Sequence, residues 1–194
     1  MHIFIKILGV ALFLFSSTEM MASTNDKEIK ALYHTLDSLI GCQDSLIAEK
    51  KSHIKAIIDG MKGMKLTSEQ ELTLNHRLYD EYLAFNFDSA HHYIKKNLDI
   101  LQSLNDANLR AGCLIRMAHI LAVSGIFEKA GAMLDEIQLS QLSPEKKVEY
   151  YNQKAELFLY RSEMAQHSPY FKEYIDSTQY YRQLILQIAP KESF

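Results

Sequence analysis

The sequence predicts an all-α fold, one long amphipathic helix followed by antiparallel helix pairs stacked into a solenoid. Three observations predict it. Apolar residues recur at three- and four-residue spacing in every segment beyond the N-terminal region, and none sustains period-two alternation. Glycine and proline fall at the breaks: Gly60 and Gly63 in DGMKGMK, Gly125 in VSGIF, and Pro144, Pro169 and Pro190, each after Ser or Ala. Finally, FDSAHHYIKKNLDIL at Phe87–Leu101 is echoed by IDSTQYYRQLILQIA at Ile175–Ala189, each an Asp-Ser pair, a small residue and an aromatic-apolar helix.

The N-terminus sets the expected compartment. MHIFIK, the apolar run Ile7–Phe15 and the polar SSTEMMAS follow the order of a secretory signal, with small Ala22 and Ser23 at the cleavage region. The apolar run is far shorter than the roughly 20 residues a bilayer crossing needs. We therefore expect residues 1–22 to be a signal peptide and the chain to be exported and periplasmic; an uncleaved N-terminal anchor is the alternative. The net charge of −3 and the absence of a basic stripe argue against a nucleic-acid surface. Two cysteines, Cys42 and Cys113, exclude a disulfide-dense fold, so the core must come from apolar packing. Both fall inside helical patterns and are expected as buried free thiols, a single bridge being the alternative.

Residues 23–60 are expected to form the long helix, with Ile29, Leu32, Leu36, Leu39, Leu46 and Ile54 among its apolar stripe over about Asp26–Ile58. Leu32, Leu39 and Leu46 are seven apart, but Gln43 and Lys50 interrupt the companion row begun by Leu36, which makes a poor coiled-coil seam and leaves two readings, a helix packed on its own domain or one pairing weakly with a second copy. Residues 61–194 are expected to be the repeat domain, about three divergent helix pairs. Ser68 with Glu71 reads as a capping box for a helix over Glu69–Phe85. Asp88 is the expected cap of Ser89–Leu104, and Asn105-Asp106 turns into Ala107–Ser124. Gly125 ends that helix in a left-handed conformation, and a short helix over Phe127–Ile137 follows. Ser143-Pro144 opens a helix to about Ala165, and the same Ser-Pro device opens Pro169–Ile188.

Helix pairs recurring every few tens of residues mark an α-solenoid, and the middle pair has the small-and-large pattern of a tetratricopeptide (TPR) repeat. Leu114, Met117, Ala118 and Leu121 line its first helix; Gly125 turns; Phe127, Ala130 and Leu134 follow. Ala118 and Ala130 stand where a small side chain lets helices approach. Phe87, Ala90 and Ile94 are the equivalents of Phe127, Ala130 and Leu134 in the preceding pair, and Tyr174 or Ile175, Thr178 and Arg182 in the last, where Asp176 is the expected cap. Tyr93 and Tyr181 are expected to wedge against the neighbouring helix. The spacing from Ala90 to Ala130 and on to Thr178 exceeds the roughly 34 residues of the standard repeat, so the third pair has longer helices or a longer loop.

No catalytic motif is present: G-x-x-x-x-G-K, G-x-S-x-G, H-E-x-x-H and C-x-x-C are all missing. His91 and His92 point about 100° apart on a helix and cannot chelate one metal unaided. His76 and His119 stand alone on their helices and are expected at the surface or in a groove. Asp80-Glu81 and Asp135-Glu136 are sequence neighbours that do not face each other, which removes an acid/base couple. We expect no enzyme, no metal and no cofactor.

Four stretches resemble a bacterial group of exported, TPR-containing regulators. LDSLIGCQDSLIAEKKSHIKAI, Leu36–Ile57, is similar to the group's opening helix. LYDEYLAFNFDSA, Leu78–Ala90, resembles its L-[YF]-x-E-Y-x-x-[FY]-x-x-D-S-A stretch, and GIFEKAGAML, Gly125–Leu134, its G-x-[FY]-x-E-A segment with Lys129 where an acid is common. SPYFKEYIDSTQYYRQLI, Ser168–Ile185, is similar to its Y-Y-x-x-Y-x-D-S segment. Members of the group continue into further repeats, a transmembrane helix and a cytoplasmic C-terminal part read as transcriptional regulation. The resemblance thus implies that this chain is the N-terminal, sensory part of a membrane-bound transcriptional regulator, reaching the membrane only through a C-terminal part beyond it or through an uncleaved signal.

The expected function is a non-enzymatic binding module for a protein or peptide partner. Its groove is expected on the inward side of the first helices: Asn75, Tyr79 and Tyr82, then Ile115, His119 and Ala122. The alternative is a free-standing structural or assembly module, a homodimer joined through the long N-terminal helix.

Overall fold

A computed structural model describes residues 26–188, and the expected signal peptide and Pro190 lie outside them. The described residues form only helices and turns: α1 over 26–41, α2 (Gln43–Met61), α3 (Ser68–Leu83), α4 (Phe87–Leu101), α5 (Ala107–Val123), α6 (Phe127–Asp135), α7 (Pro144–Met164) and α8 (Phe171–Ile188). The described residues divide into two compact units, one ending at Met61 and the other beginning at Lys62.

In the first unit the expected single helix is broken into α1 and α2 at Cys42. The break is slight. The Cys42 N–H is shared between the Ser38 and Leu39 carbonyls at 3.1 and 3.2 Å, and its own carbonyl accepts from Leu46 at 3.0 Å. Gly41, poorest of the ordinary residues at holding a helix, explains the place.

The second unit is a TPR-like α-solenoid of three helix pairs, α3/α4, α5/α6 and α7/α8, each helix packed on its pair mate. Its centre is α5. Cys113, Met117 and Ile120 on one side join Leu72, Tyr79, Ala90, Ile94 and Leu101 of α3 and α4. Ile115, Ala118 and Ala122 on the other side join Ala130, Leu134, Tyr150 and Leu157 of α6 and α7. A helix that is apolar on both flanks must be covered on both, which places α5 inside and the other two pairs around it. Ala90 and Ala130 are completely buried and Ala118 almost so, as close helix approach requires. Gly125 adopts φ 77°, the left-handed turn that separates α5 from α6 at no steric cost.

The helix starts differ from expectation in three places. Thr67, not Ser68, caps α3: its hydroxyl accepts from the Gln70 N–H at 3.3 Å while the Gln70 side chain accepts from the Thr67 N–H at 2.9 Å. Asn86, not Asp88, caps α4 by accepting from Ser89 N–H at 3.0 Å. Asp88 then sits in the first turn, where its charge favours the positive end of the helix. Asp176 caps nothing; it lies mid-helix in α8, paired with Lys172 at 2.7 Å. In the first two cases a neighbouring residue offers an equivalent side-chain oxygen, and the helix phase decides which one reaches the free N–H groups. Asp106 and Ser143 do cap α5 and α7, accepting from Leu109 and Lys146.

Two side-chain expectations also need correction or detail. Cys42 and Cys113 are both free thiols, but only Cys113 is buried; Cys42 is exposed. The long spacing to Thr178 has two sources, the 21-residue α7 and a 3₁₀ turn at Leu139–Gln141 between α6 and α7. Tyr93 stacks on Tyr82 at 5.7 Å, and Tyr181 stacks on Phe158 at 5.8 Å. Both rings fill the seam between the two helices of their own pair.

Candidate functional site

The first helices of the pairs, α3, α5 and α7, share one face that carries the polar chemistry of the solenoid. Gly112 on α5 is its floor. A Cβ there would stand 3.4 Å from Lys146 Nζ of α7 and 3.5 Å from Arg116 Nη1, so the missing side chain leaves room for two cations side by side. Lys146 is paired with Glu149 one turn along α7, at 2.6 Å. Arg116 donates to the Gly112 carbonyl at 3.4 Å and lies 5.9 Å from the Tyr79 ring centroid, and no carboxylate among the described residues pairs with it. One turn further on, His119 Nδ1 lies 3.5 Å from Glu156 Oε2, an ion pair whenever the imidazole is protonated.

Electrostatics follow from this geometry. His76 on α3 meets Cys113 on α5, Nε2 to Sγ 3.5 Å. Burial holds the His76 imidazole below its ordinary pKa, helped by the Arg116 charge, with Asp80 acting the other way. Burial pushes the Cys113 thiol up to about 11 against the pull of Arg116 and Lys146, so at neutral pH it is an inert thiol rather than a nucleophile. The Tyr79 hydroxyl is likewise pushed up to about 12 by burial. Among the described residues no group of three or more His, Cys, Asp or Glu could hold a metal ion.

The six residues expected in the groove divide by exposure. Asn75, Tyr79, Ile115 and Ala122 are buried: Asn75 is hydrogen bonded to Asn97, Tyr79 packs with Ile94 and Met117, and Ile115 and Ala122 pack with Tyr150 and Leu157. Tyr82 and His119 are half-exposed, and the Tyr82 ring packs against Tyr93 and Phe85. Of the six, His119 alone takes part in the ion-paired row. The spacing missed Arg116, Lys146 and Glu156. Arg116 is four residues before Ile120 and one turn from His119, and a cation set within the apolar run CLIRMA was the signal available.

The sequence model of a family described as the SusR N-terminal TPR domain matches residues 40–194. The chain belongs to this family. No curated protein and no solved structure matches it. Membership in a TPR family makes the second unit a protein-interaction module in general terms, which agrees with a polar face built on α3, α5 and α7. The other indentations of this TPR domain lie elsewhere. One cleft of about 270 Å³ is floored by Ala111 and Leu114 and rimmed by the Arg110–Glu136 ion pair at 3.0 Å. Another, of about 590 Å³, lies open over Phe158, Tyr180 and Tyr181 with Lys172 and Asp176 at its edge. No described helix of this family member is long and apolar enough to cross a membrane.

Proposed function

We propose that the chain is the extracytoplasmic sensory part of a membrane-bound transcriptional regulator, and that it binds a protein or peptide partner on the face made by α3, α5 and α7. The observation that carries the binding reading is Arg116. Its guanidinium is half-buried, has no carboxylate partner among the described residues, and sits beside Lys146 over the bare backbone of Gly112. A partly desolvated cation without a counter-charge favours a partner that brings an acidic group, which would bond the guanidinium fork. His119 and Glu156 flank it as a polar rim. The exported and membrane-bound parts of the reading rest on the signal-like N-terminus and on the family resemblance. Among the described residues no three His, Cys, Asp or Glu converge on a metal site and burial pushes the Cys113 thiol up to about 11, so binding, not turnover, is the function proposed.

The test pairs enrichment with variants. Wild-type chain and an Arg116→Ala/His119→Ala double variant, matched in thermal stability, serve as baits for periplasmic extract. A partner held by the wild type and lost by the double variant supports the site. A partner held equally by both moves binding off this face. Reading the coding frame past codon 194 tests the regulator: an apolar segment of about 20 residues followed by a cytoplasmic region supports it, and a stop codon there removes it.

A further inference from the structure

The cleft of about 270 Å³ at the start of α5 has the build of a small-molecule site. It shares no residue with the face that carries Gly112, Arg116 and Lys146. Ala107 and Ala111, one turn apart on α5, are small and leave the space. Ala111, Leu114 and Leu142 are buried and give it an apolar floor. Its rim is Arg110 of α5 and Glu136 at the end of α6, joined at 3.0 Å.

Each rim charge stands at the helix end that suits it least. Arg110 is in the first turn of α5, where the free N–H groups already carry positive charge. Glu136 is the C-cap of α6, where the last carbonyls carry negative charge. Stability alone would favour the reverse placement. Asp106, the cap of α5, does not line the cleft, and its carboxylate is committed to the Leu109 N–H at 2.9 Å. One wall of the cleft is therefore positive and the other negative, helix end and side chain acting together. The Arg110–Glu136 pair rests on one contact between side chains 41 and 45 % exposed, so it contributes little and opens readily.

From this arrangement we infer that the cleft binds a free α-amino acid with an apolar side chain. A simple anion would satisfy Arg110 but leave Glu136 unpaired and repelling it; a simple cation would do the converse. A zwitterion exchanges the one rim contact for two, carboxylate on the guanidinium fork and ammonium on Glu136. An α-amino acid carries both groups on one carbon, which matches rim charges that lie side by side. A peptide holds its terminal charges apart by a further residue length, about 3.5 Å or more. The volume agrees, being at the small end of the roughly 300–1,000 Å³ of sites for drug-sized ligands. The floor of Ala111, Leu114 and Leu142 then takes an aliphatic side chain out of water. This site is separate from the partner-binding face on α3, α5 and α7.

Isothermal titration of the full chain with L-leucine is expected to show saturable binding of one molecule per chain. Two analogues read the zwitterion: 4-methylpentanoate lacks the ammonium, isopentylamine lacks the carboxylate, and each is expected to bind at least about tenfold more weakly. Arg110→Ala removes a half-exposed side chain and is expected to weaken leucine binding by a similar factor. Ala107→Phe fills the cleft, keeps both charges and is expected to abolish binding. Arg116→Ala is expected to leave leucine binding unchanged, which separates this site from the partner face. Circular dichroism melts confirm that each variant is folded. Absence of binding by leucine, isoleucine, valine, methionine and phenylalanine at about 10 mM would overturn the inference. Wild-type affinity in folded Arg110→Ala or Ala107→Phe would do the same. Equal binding of 4-methylpentanoate would make the cleft an anion site, equal binding of isopentylamine a cation site, and equal binding of leucyl-leucine a peptide site, each against the inference.

Discussion

Asn75 on α3 and Asn97 on α4 are joined by a 2.9 Å hydrogen bond inside the first helix pair, and Asn97 donates in turn to the Leu72 carbonyl at 3.0 Å. Both side chains are buried, Asn97 completely. A buried amide pair of this kind is tolerated only because each partner satisfies the other, and it sets the register of α3 on α4 more sharply than apolar packing would. Asn97→Ala strips Asn75 of its acceptor, leaves a carbonyl oxygen short of a donor and opens a small void. The expected loss is about 2–4 kcal/mol, read as a lower urea midpoint at unchanged slope. A loss under about 0.5 kcal/mol would mean that water replaces the amide at no penalty.

Close approach at Ala118 and Ala130 is the second dependence. Ala118 has almost no exposed surface and sits in the cluster with Ala130, Leu134 and Tyr150. Ala118→Leu forces extra methylenes between α5 and its neighbours and should cost about 1–3 kcal/mol. The same change at Val123, exposed at the end of α5, should cost almost nothing. Thermal melts of the two variants side by side check this; equal melting points would show that α5 is not tightly held.

Stability should fall as the solution is acidified through the range of His76. Its folded-state pKa lies below the ordinary 6.5, mainly because burial disfavours the imidazolium. Between the folded value and 6.5 the unfolded chain binds more protons, so unfolding becomes easier as pH drops, and above 6.5 the group contributes no slope. Replacing it by Gln should flatten the dependence as the pH falls below about 6.5. Melting temperatures of wild type and His76→Gln across that range are the check. Parallel curves would assign the slope to other groups.

Thiol reactivity should separate the two cysteines. Cys42 is exposed, whereas Cys113 is buried with a thiol pKa near 11. A thiol-reactive dye at pH 7.5 should label one thiol per native chain quickly and the second only in denaturant. Rapid labelling of both would place Cys113 in a region that opens readily.

Substituting Gly112 tests the crowding of cations directly. Gly112→Ala places a methyl within 3.4 Å of Lys146 Nζ, and only flexible side-chain ends need to move. Because alanine also favours helix by about 1 kcal/mol over glycine, stability should hold or rise while partner binding weakens. If binding is untouched, Arg116 and Lys146 do not need their present positions.

The helical class, the breaks at Gly125 and Pro144 and the small residues at Ala90, Ala118 and Ala130 were all legible in the sequence, because spacing, turn chemistry and side-chain size act locally. So was the apolar stripe of the long helix, but not which of its members are covered: Leu32, Leu39 and Leu46 are exposed and Ile54 is buried. The caps were only half legible: Thr67 and Asn86 displaced Ser68 and Asp88 because helix phase, set by packing, chooses among adjacent oxygens. The groove was the least legible. Asn75, Tyr79, Ile115 and Ala122 occupy positions of the right period, but a residue on the first helix of a pair can face a groove or the next helix. That choice depends on the rotation of α3, α5 and α7 against one another. Only the folded chain sets that rotation. It buries the aromatic and amide side chains that had looked like binding groups. It brings Arg116 and Lys146 together over Gly112, 30 residues or more apart along the chain from α5 to α7, because burying two apolar flanks of α5 leaves its polar edge one way to point.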